Sequence, residues 1–148
     1  PWQIKACRFP LLGPFAVRAF NAFARTAARL CCTRKPIDPD VRDGLLKPYD
    51  SWANRIATIR FVQDIPFEAN HPTRRTGAEI SAGFDQIKDK PALICWGMKD
   101  FCFTEDFLDA WIELMPNAEV HRFDDCGHYI VEDAHEDILP LMQAFLQA

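Results

Sequence analysis

Two short segments in the second half of the chain constrain the fold most strongly. Ala92–Trp96 is a continuous apolar run that ends at Gly97, and Ala118–Phe123 is a second predicted strand. An uninterrupted apolar run is typical of a strand that is buried on both faces of a parallel sheet. A helix is predicted after each strand, and the order strand, helix, strand, helix implies parallel strands with right-handed crossovers. The sequence therefore predicts an α/β fold.

Local signals mark the ends of these helices. Thr104 can cap the first, whose first turn carries Glu105 and Asp106, two charges that are favourable at the positive end of the helix dipole. Pro116 ends it. We expect Pro140 either to delay the start of the last helix or to kink it.

The part of the chain before Lys90 contains only helical signals. Asp38 followed by Pro39 is typical of an N-cap with proline at the first helical position. Four predicted helices cover this part: Phe15–Leu30, Pro39–Leu46, a helix capped by Asp50 or Ser51 that runs to Val62 and ends before Pro66, and one that opens at Asn70–Pro72 and runs towards Ile87.

Composition excludes several classes of protein. The chain has 148 residues, 49% of them hydrophobic and 26% charged, with a net charge of -4, which indicates a soluble globular domain and not a disordered tail. No apolar run approaches the roughly 20 residues of a membrane-spanning helix. The mild acidity argues against a nucleic-acid surface. Six cysteines without a CxxC pair indicate reduced thiols and a cytoplasmic protein.

Two parallel strands cannot form a stable sheet alone, because each needs neighbours on its edges and helices on its faces. We therefore expect the partner strands to come from upstream sequence or from another chain. The chain begins with Pro1 and shows no secretory signal. The interpretation is the C-terminal half of a larger α/β protein.

Candidate catalytic residues follow the two predicted strands. Open α/β sheets place their ligands at the C-terminal ends of the strands, and there the chain has Asp100 and His128. An acid that orients a histidine, and a histidine that moves protons, are two of the three groups of a hydrolytic triad. Gly97 and Gly127 permit the tight turns that would present both side chains at the rim of the sheet.

These segments carry a resemblance to a known family. Trp96–Asp100 and Asp125–Tyr129, separated by a helix and a strand, resemble the final third of an α/β-hydrolase, and more narrowly the haloalkane dehalogenases and their relatives, the epoxide hydrolases and the β-lactone decarboxylases of olefin synthesis. The resemblance covers about Pro91–Leu146. The preceding helices are similar to the cap domain of that family through Arg8–Gly13 and Phe61–Pro66.

The resemblance implies a helical cap region at 1–87 and, at 88–148, the C-terminal strand-helix-strand-helix part of the hydrolase core. It implies that Asp100 is the catalytic acid and His128 the catalytic histidine. The family's nucleophile precedes both along the chain. Ser51 and Ser81 are the only serines and neither lies in G-x-S-x-G, nor does any aspartate lie in G-x-D-x-G. The missing N-terminal half would supply the nucleophile, and the chain by itself is predicted to be inactive.

The leading hypothesis is a dehalogenase-like or β-lactone decarboxylase-like enzyme that acts on a small apolar substrate through a covalent ester. His128 would activate a water and Asp100 would orient its ring, with no cofactor or metal. One alternative is a serine esterase, which shares every visible residue. Another is a non-catalytic domain that binds a partner through its cap helices.

Other residues have weaker claims to a function. A zinc site from Cys102, His121, Cys126 and His128 matches no standard ligand spacing, and Cys126 as a nucleophile lies too close to His128 in sequence. The aromatic residues Trp52, Phe101, Phe103 and Tyr129 could line an apolar tunnel, although core packing is the commoner role. The remaining charged candidates are interpreted as structural: Asp124 and Asp125 in a turn, and His71, His121 and His135.

Overall fold

The computed structural model describes residues 2–147, apart from the side chain of Gln3. Within that range it has eight α-helices and two β-strands. Their bounds are α1 Trp2–Cys7, α2 Leu12–Phe20, α3 Ala22–Leu30, α4 Pro39–Leu46, α5 Ile56–Gln63, α6 Thr73–Gly83, β1 Leu93–Gly97, α7 Glu105–Leu114, β2 Glu119–Phe123 and α8 Ile130–Gln147. Short 3-10 turns occupy Lys47–Tyr49 and Phe84–Gln86.

The chain divides into two compact units. One takes Pro1–Leu30 and Asp38–Ala82, and the other takes Cys31–Ile37 and Gly83–Ala148. Both strands belong to the second unit, and helices make up the regular structure of the first. The boundary between helices and strands thus falls where the composition changes, but the short segment 31–37 belongs with the strands. Residue 1, which begins the predicted range 1–87, and residue 148, which ends the predicted range 88–148, lie outside the described residues.

The two strands pair in parallel, as the sequence predicts. Leu93 lies opposite Glu119, and Gly97 lies opposite Phe123. Burial differs from the expectation, because β1 is half-buried from Leu93 to Trp96 and fully buried only at Gly97. Within the described residues the sheet has two strands, so each strand has one edge without a strand partner there.

The hydrophobic core of the second unit lies beneath the loop that follows β2. Cys126, Ala134 and Ile138 are buried together, with Cys95, Phe123 and Ile130 packed against them. The loop that carries His128 is therefore attached to the core at Cys126, two positions earlier in the chain.

Two predicted helices have different bounds in the structure. The predicted helix Phe15–Leu30 is two helices, because Asn21 adopts the left-handed conformation (φ 53°, ψ 36°) between α2 and α3. Asparagine reaches this region at low cost, and its amide donates to the carbonyl of Tyr49 at 3.2 Å. The helix expected from Asp50 or Ser51 begins at Ile56, after a series of turns.

The N-terminal and C-terminal helices also differ from expectation. The sequence reasoning did not predict α1. Helix α8 continues through Pro140 and is distorted at Ala134 instead (φ -137°, ψ 26°). The distortion directly follows Asp133, whose buried carboxylate binds backbone amides outside the helix. Among residues 2–147, no helix has the length and apolar character needed to cross a lipid bilayer.

Candidate active site

Asp100 and His128 form a direct hydrogen bond. Asp100 Oδ2 lies 2.8 Å from His128 Nδ1, and the two side chains are 10% and 27% exposed. An ionised carboxylate only accepts hydrogen bonds, so Nδ1–H is the donor, and in the neutral imidazole Nε2 then keeps its lone pair. The structure thus brings together the two residues selected from the sequence and leaves the other ring nitrogen able to accept a proton.

The other carboxylate oxygen of Asp100 is fixed by its own loop. Oδ1 accepts the backbone N–H of Cys102 at 2.7 Å and that of Phe103 at 2.9 Å. The N–H of Asp100 donates to the carbonyl of Gly97 at the end of β1, at 3.1 Å. Aspartate commonly forms such bonds to the backbone two and three residues later. They hold the carboxylate in the orientation in which Oδ2 meets the imidazole.

The loops that follow β1 and β2 contact each other through their backbones. Met98 N–H donates to the carbonyl of Phe123 at 3.0 Å, and Lys99 N–H donates to that of Cys126 at 2.9 Å. A Cβ at Gly97 would lie 2.7 Å from the Cys126 carbonyl oxygen, closer than real Cβ contacts. Only glycine permits this approach.

Both neighbours of His128 are anchored to residues far away in sequence. Gly127 N–H donates to Asp133 Oδ2 at 2.7 Å, and Tyr129 N–H donates to the carbonyl of Cys31 at 2.9 Å. Sequence reasoning missed both partners. The one available signal for Asp133 was its acidic character in the first turn of a helix, where a negative charge is favourable.

Arg34 links the 31–37 segment to the histidine loop by ion pairs. Its guanidinium donates to both oxygens of Asp125, at 2.9 and 3.0 Å, and to Asp137 at 2.6 Å. The hydrogen bonds from Arg34 hold the pKa of Asp125 below its ordinary value. Asp124 and Asp125 do occupy a turn, and Asp125 in addition has this long-range cationic partner.

Aromatic rings surround the histidine. The ring centroids of Phe103, Tyr129 and Phe101 lie 5.4, 5.9 and 6.1 Å from that of His128. Phe101 and Phe103 are 40% and 45% exposed. Three of the four predicted tunnel residues thus lie beside the candidate site. Trp52 belongs to the other unit, where Arg18 stacks on it at 4.3 Å.

The thiols of this unit are poor nucleophiles. Burial raises the pKa of Cys126 to about 11 and that of Cys31 to about 12, so both are protonated near neutral pH. In the part of the chain that the structure describes, no three His, Cys, Asp or Glu residues form a group that could hold a metal ion. The remaining histidines have other partners: Thr73 for His71, Glu119 for His121 and Glu136 for His135.

Comparison with known proteins identifies the class. The model of a family described as the alpha/beta hydrolase fold matches residues 36–135, and the chain belongs to this family. Three features agree with that assignment: the two parallel strands, the helix α7 that connects them, and the Asp100–His128 pair at the strand ends.

Two similar curated proteins are enzymes of the same name. The chain is 42% identical over 146 residues to the cis-3-alkyl-4-alkyloxetan-2-one decarboxylase of Shewanella oneidensis, covering 99% of this chain and 46% of that protein. It is 41% identical over 147 residues to the enzyme of the same name from Xanthomonas campestris, covering 99% and 49%. The chain thus spans about half the length of the curated relatives it matches.

Solved haloalkane dehalogenases share the fold. DatA from Agrobacterium tumefaciens superposes with a TM-score of 0.79 at 20% identity, over 99% of this chain and 50% of that one. A loop variant of DbeA from Bradyrhizobium elkanii gives a TM-score of 0.81 at 19% identity, over 99% and 48%. These likenesses show the fold, and this chain covers about half of each of the two solved chains.

Proposed function

We propose that this chain supplies the acid, Asp100, and the histidine, His128, of a nucleophile-acid-histidine triad in an α/β-hydrolase-fold enzyme. The observation that carries the proposal is the 2.8 Å bond from Nδ1 to a carboxylate that two backbone N–H groups hold in place. The nucleophile would come from residues outside these 148, since neither G-x-S-x-G nor G-x-D-x-G is present. Without it, the isolated chain would be inactive.

The geometry supports a specific division of roles. The carboxylate of Asp100 favours the tautomer with the proton on Nδ1 and stabilises the imidazolium that forms when Nε2 takes up a proton. His128 would then act as the general base and acid of the reaction. Asp100 would hold the ring and not exchange protons with the substrate.

For the substrate we propose a small apolar β-lactone. The two curated relatives are named for an oxetan-2-one, which is a β-lactone, with two alkyl groups. Partly exposed Phe101 and Phe103 beside His128 offer apolar contacts for such groups. We assign the helical region 1–87 to the cap of the enzyme and 88–148 to the C-terminal part of its core, in keeping with the change from helices to strands between them.

Two reactions of a β-lactone give different products. Decarboxylation breaks the ring C4–O bond and the C2–C3 bond, and it yields an alkene and CO₂ without consuming water. Hydrolysis breaks the C2–O bond, adds one water and yields a β-hydroxy acid. The names of the relatives favour the first. Product identity therefore tests the proposal directly.

The test uses the natural gene product, at the length that its gene encodes. A cis-3,4-dialkyloxetan-2-one and a haloalkane of matched chain length are supplied separately, and alkene, hydroxy acid and alcohol are measured by mass spectrometry. We expect alkene from the lactone, and almost none from His128→Gln. His135→Gln, the same change at a half-exposed histidine, should leave turnover intact. Full activity in His128→Gln would contradict the proposed role of His128. Alcohol formed from the haloalkane, with no product from the lactone, would show that the substrate is a haloalkane and not a β-lactone.

A further inference from the structure

The buried carboxylate of Asp133 accepts hydrogen bonds from three backbone amides near the candidate site. Asp133 is 1% exposed, in the first turn of α8. Its Oδ1 lies 3.1 Å from Thr33 N and 3.2 Å from Arg34 N, and its Oδ2 lies 2.9 Å from Thr33 N and 2.7 Å from Gly127 N. Each of these donors is a backbone amide. Burial of a carboxylate is costly unless hydrogen bonds compensate it, so the amides must stay in place.

These bonds connect two separate stretches of chain at one point. Thr33 and Arg34 belong to the segment between α3 and α4, and Gly127 directly precedes His128. Two further hydrogen bonds to backbone carbonyls join the same two stretches, in addition to the Arg34–Asp125 ion pair: Tyr129 N–H donates to the Cys31 carbonyl at 2.9 Å, and Thr33 Oγ1–H donates to the Asp125 carbonyl at 2.7 Å. The backbone on both sides of His128 is therefore held.

Gly127 packs closely against the 31–34 segment, beside Cys31 and Thr33. A Cβ at position 127 would lie 2.6 Å from the carbonyl oxygen of Cys31, which only glycine avoids. The backbone that carries the His128 side chain is thus held before it by the Gly127–Asp133 bond and after it by the Tyr129–Cys31 bond. From this position, Nδ1 of the ring reaches to within 2.8 Å of Asp100 Oδ2.

We propose that Asp133 is a positioning residue, which sets the place of the His128 imidazole by holding the Gly127 amide against the 31–34 segment. This inference rests on the proposed function, in which His128 is the catalytic histidine. Asp133 does not touch the reacting atoms. It acts through Gly127, and its loss would let the His128 loop move away from Asp100.

The test is Asp133→Asn in the natural gene product, with Asp137→Asn as the matched control. Asparagine keeps the shape of aspartate, but it replaces one acceptor oxygen with a donor that faces backbone N–H groups. We expect kcat to fall by about 100-fold, as a displacement near 1 Å of a reacting group can produce, with KM nearly unchanged. Asp137 lies four positions later on the same helix, 54% exposed, and binds only the Arg34 side chain. Its variant should retain kcat.

A second readout does not depend on activity. The ¹⁵N resonances of the imidazole report which nitrogen carries the proton. We expect the Nδ1–H tautomer for His128 in the unchanged protein and in Asp137→Asn, and a mixture of tautomers in Asp133→Asn. A folded Asp133→Asn protein with unchanged ring resonances and unchanged kcat overturns the inference. If His128→Gln keeps full turnover the proposed function fails, but the ring resonances still decide whether Asp133 positions the histidine.

A third measurement uses only the unchanged protein and therefore tests the inference even if Asp133→Asn does not fold. In the unchanged protein, the amide of Gly127 should exchange with solvent as slowly as the amides of β2, because a buried carboxylate accepts its hydrogen bond. Exchange as fast as that of exposed loop amides would show that Asp133 does not hold the loop.

Discussion

Gly97, the last residue of β1, packs against the backbone carbonyl of Gly127, so that a side chain at position 97 would overlap it. This contact joins the loop that carries Asp100 to the loop that carries His128. The 2.8 Å bond between the two side chains therefore depends on a close approach between two glycines.

Gly97→Ala should separate the two loops. The new Cβ would lie 2.7 Å from the carbonyl oxygen of Cys126 and closer still to that of Gly127, both rigid backbone atoms. We expect a loss of about 1–3 kcal/mol in the free energy of unfolding, typical of overpacking. Urea unfolding measures it. Gly77→Ala is the control, because nothing lies within 4 Å of a Cβ there, inside α6. That change should be neutral or stabilise by up to about 1 kcal/mol.

Asp100→Asn should impair catalysis while the fold persists. The amide is isosteric, and its oxygen can keep both backbone N–H bonds that Oδ1 accepts in the unchanged protein. Its uncharged NH2 group, however, no longer stabilises a charged imidazolium or enforces the Nδ1–H tautomer. We expect kcat to fall by about 10⁴-fold, the scale known for such a change in a serine-protease triad.

Steady-state kinetics of the natural gene product measure this effect. Asp109→Asn, at an exposed position of α7, makes the same chemical change away from the site and should be silent. A drop of less than tenfold in Asp100→Asn would mean that another group orients His128.

The pair of Arg34 and Asp125 should make stability depend on pH in a predictable direction. Hydrogen bonds from Arg34 lower the folded-state pKa of Asp125 from its ordinary value of 3.8. A depressed carboxyl pKa contributes stability that is complete above the ordinary value and is lost as the pH falls through the folded value. The wild type should therefore be more stable than Asp125→Asn at neutral pH, and the difference should vanish in acid.

Urea unfolding at a series of pH values between 7 and 2 tests this sign. Asp124→Asn removes the neighbouring exposed carboxylate and serves as the control. A difference between wild type and Asp125→Asn that stays constant across this pH range would show that the ion pair adds no stability in solution.

Cys126 should resist alkylation in the folded protein. Its side chain is fully buried, and burial raises the pKa of the thiol to about 11. The thiolate is the reactive form, so iodoacetamide at pH 7.5 should label Cys126 only after unfolding. Peptide mapping by mass spectrometry, with and without urea, gives the comparison. The partly exposed Cys102 should be labelled faster in the folded state, and equal rates would show that the β2 loop opens readily.

The sequence predicted that Asp100 and His128 meet because their positions follow from a general rule. Parallel strands end at the same edge of a sheet, so residues directly after β1 and β2 meet there, whatever separates them along the chain. The helix N-cap at Asp38 was predictable for a similar reason, since its carboxylate accepts the N–H groups of Asp40 and Val41, two and three positions later in the chain. Such relations involve only local spacing or the direction of two strands.

Asp133 was not predictable in this way. Its partner Thr33 lies 100 positions earlier, and no periodicity or motif connects the two. The break at Asn21 has a similar origin, because its left-handed backbone accompanies a bond to Tyr49, 28 positions away.

The sequence by itself determined the alternation of strand and helix, the parallel pairing that it requires, and the two side chains at the strand ends. These follow from side-chain periodicity and backbone chirality, which act within each element. Only the tertiary structure decided that residues 31–37 join the unit of the strands, that α8 is distorted at Ala134, and that Asp133 holds the histidine loop. Those features depend on hydrogen bonds between distant backbone groups, which form only after the elements have packed.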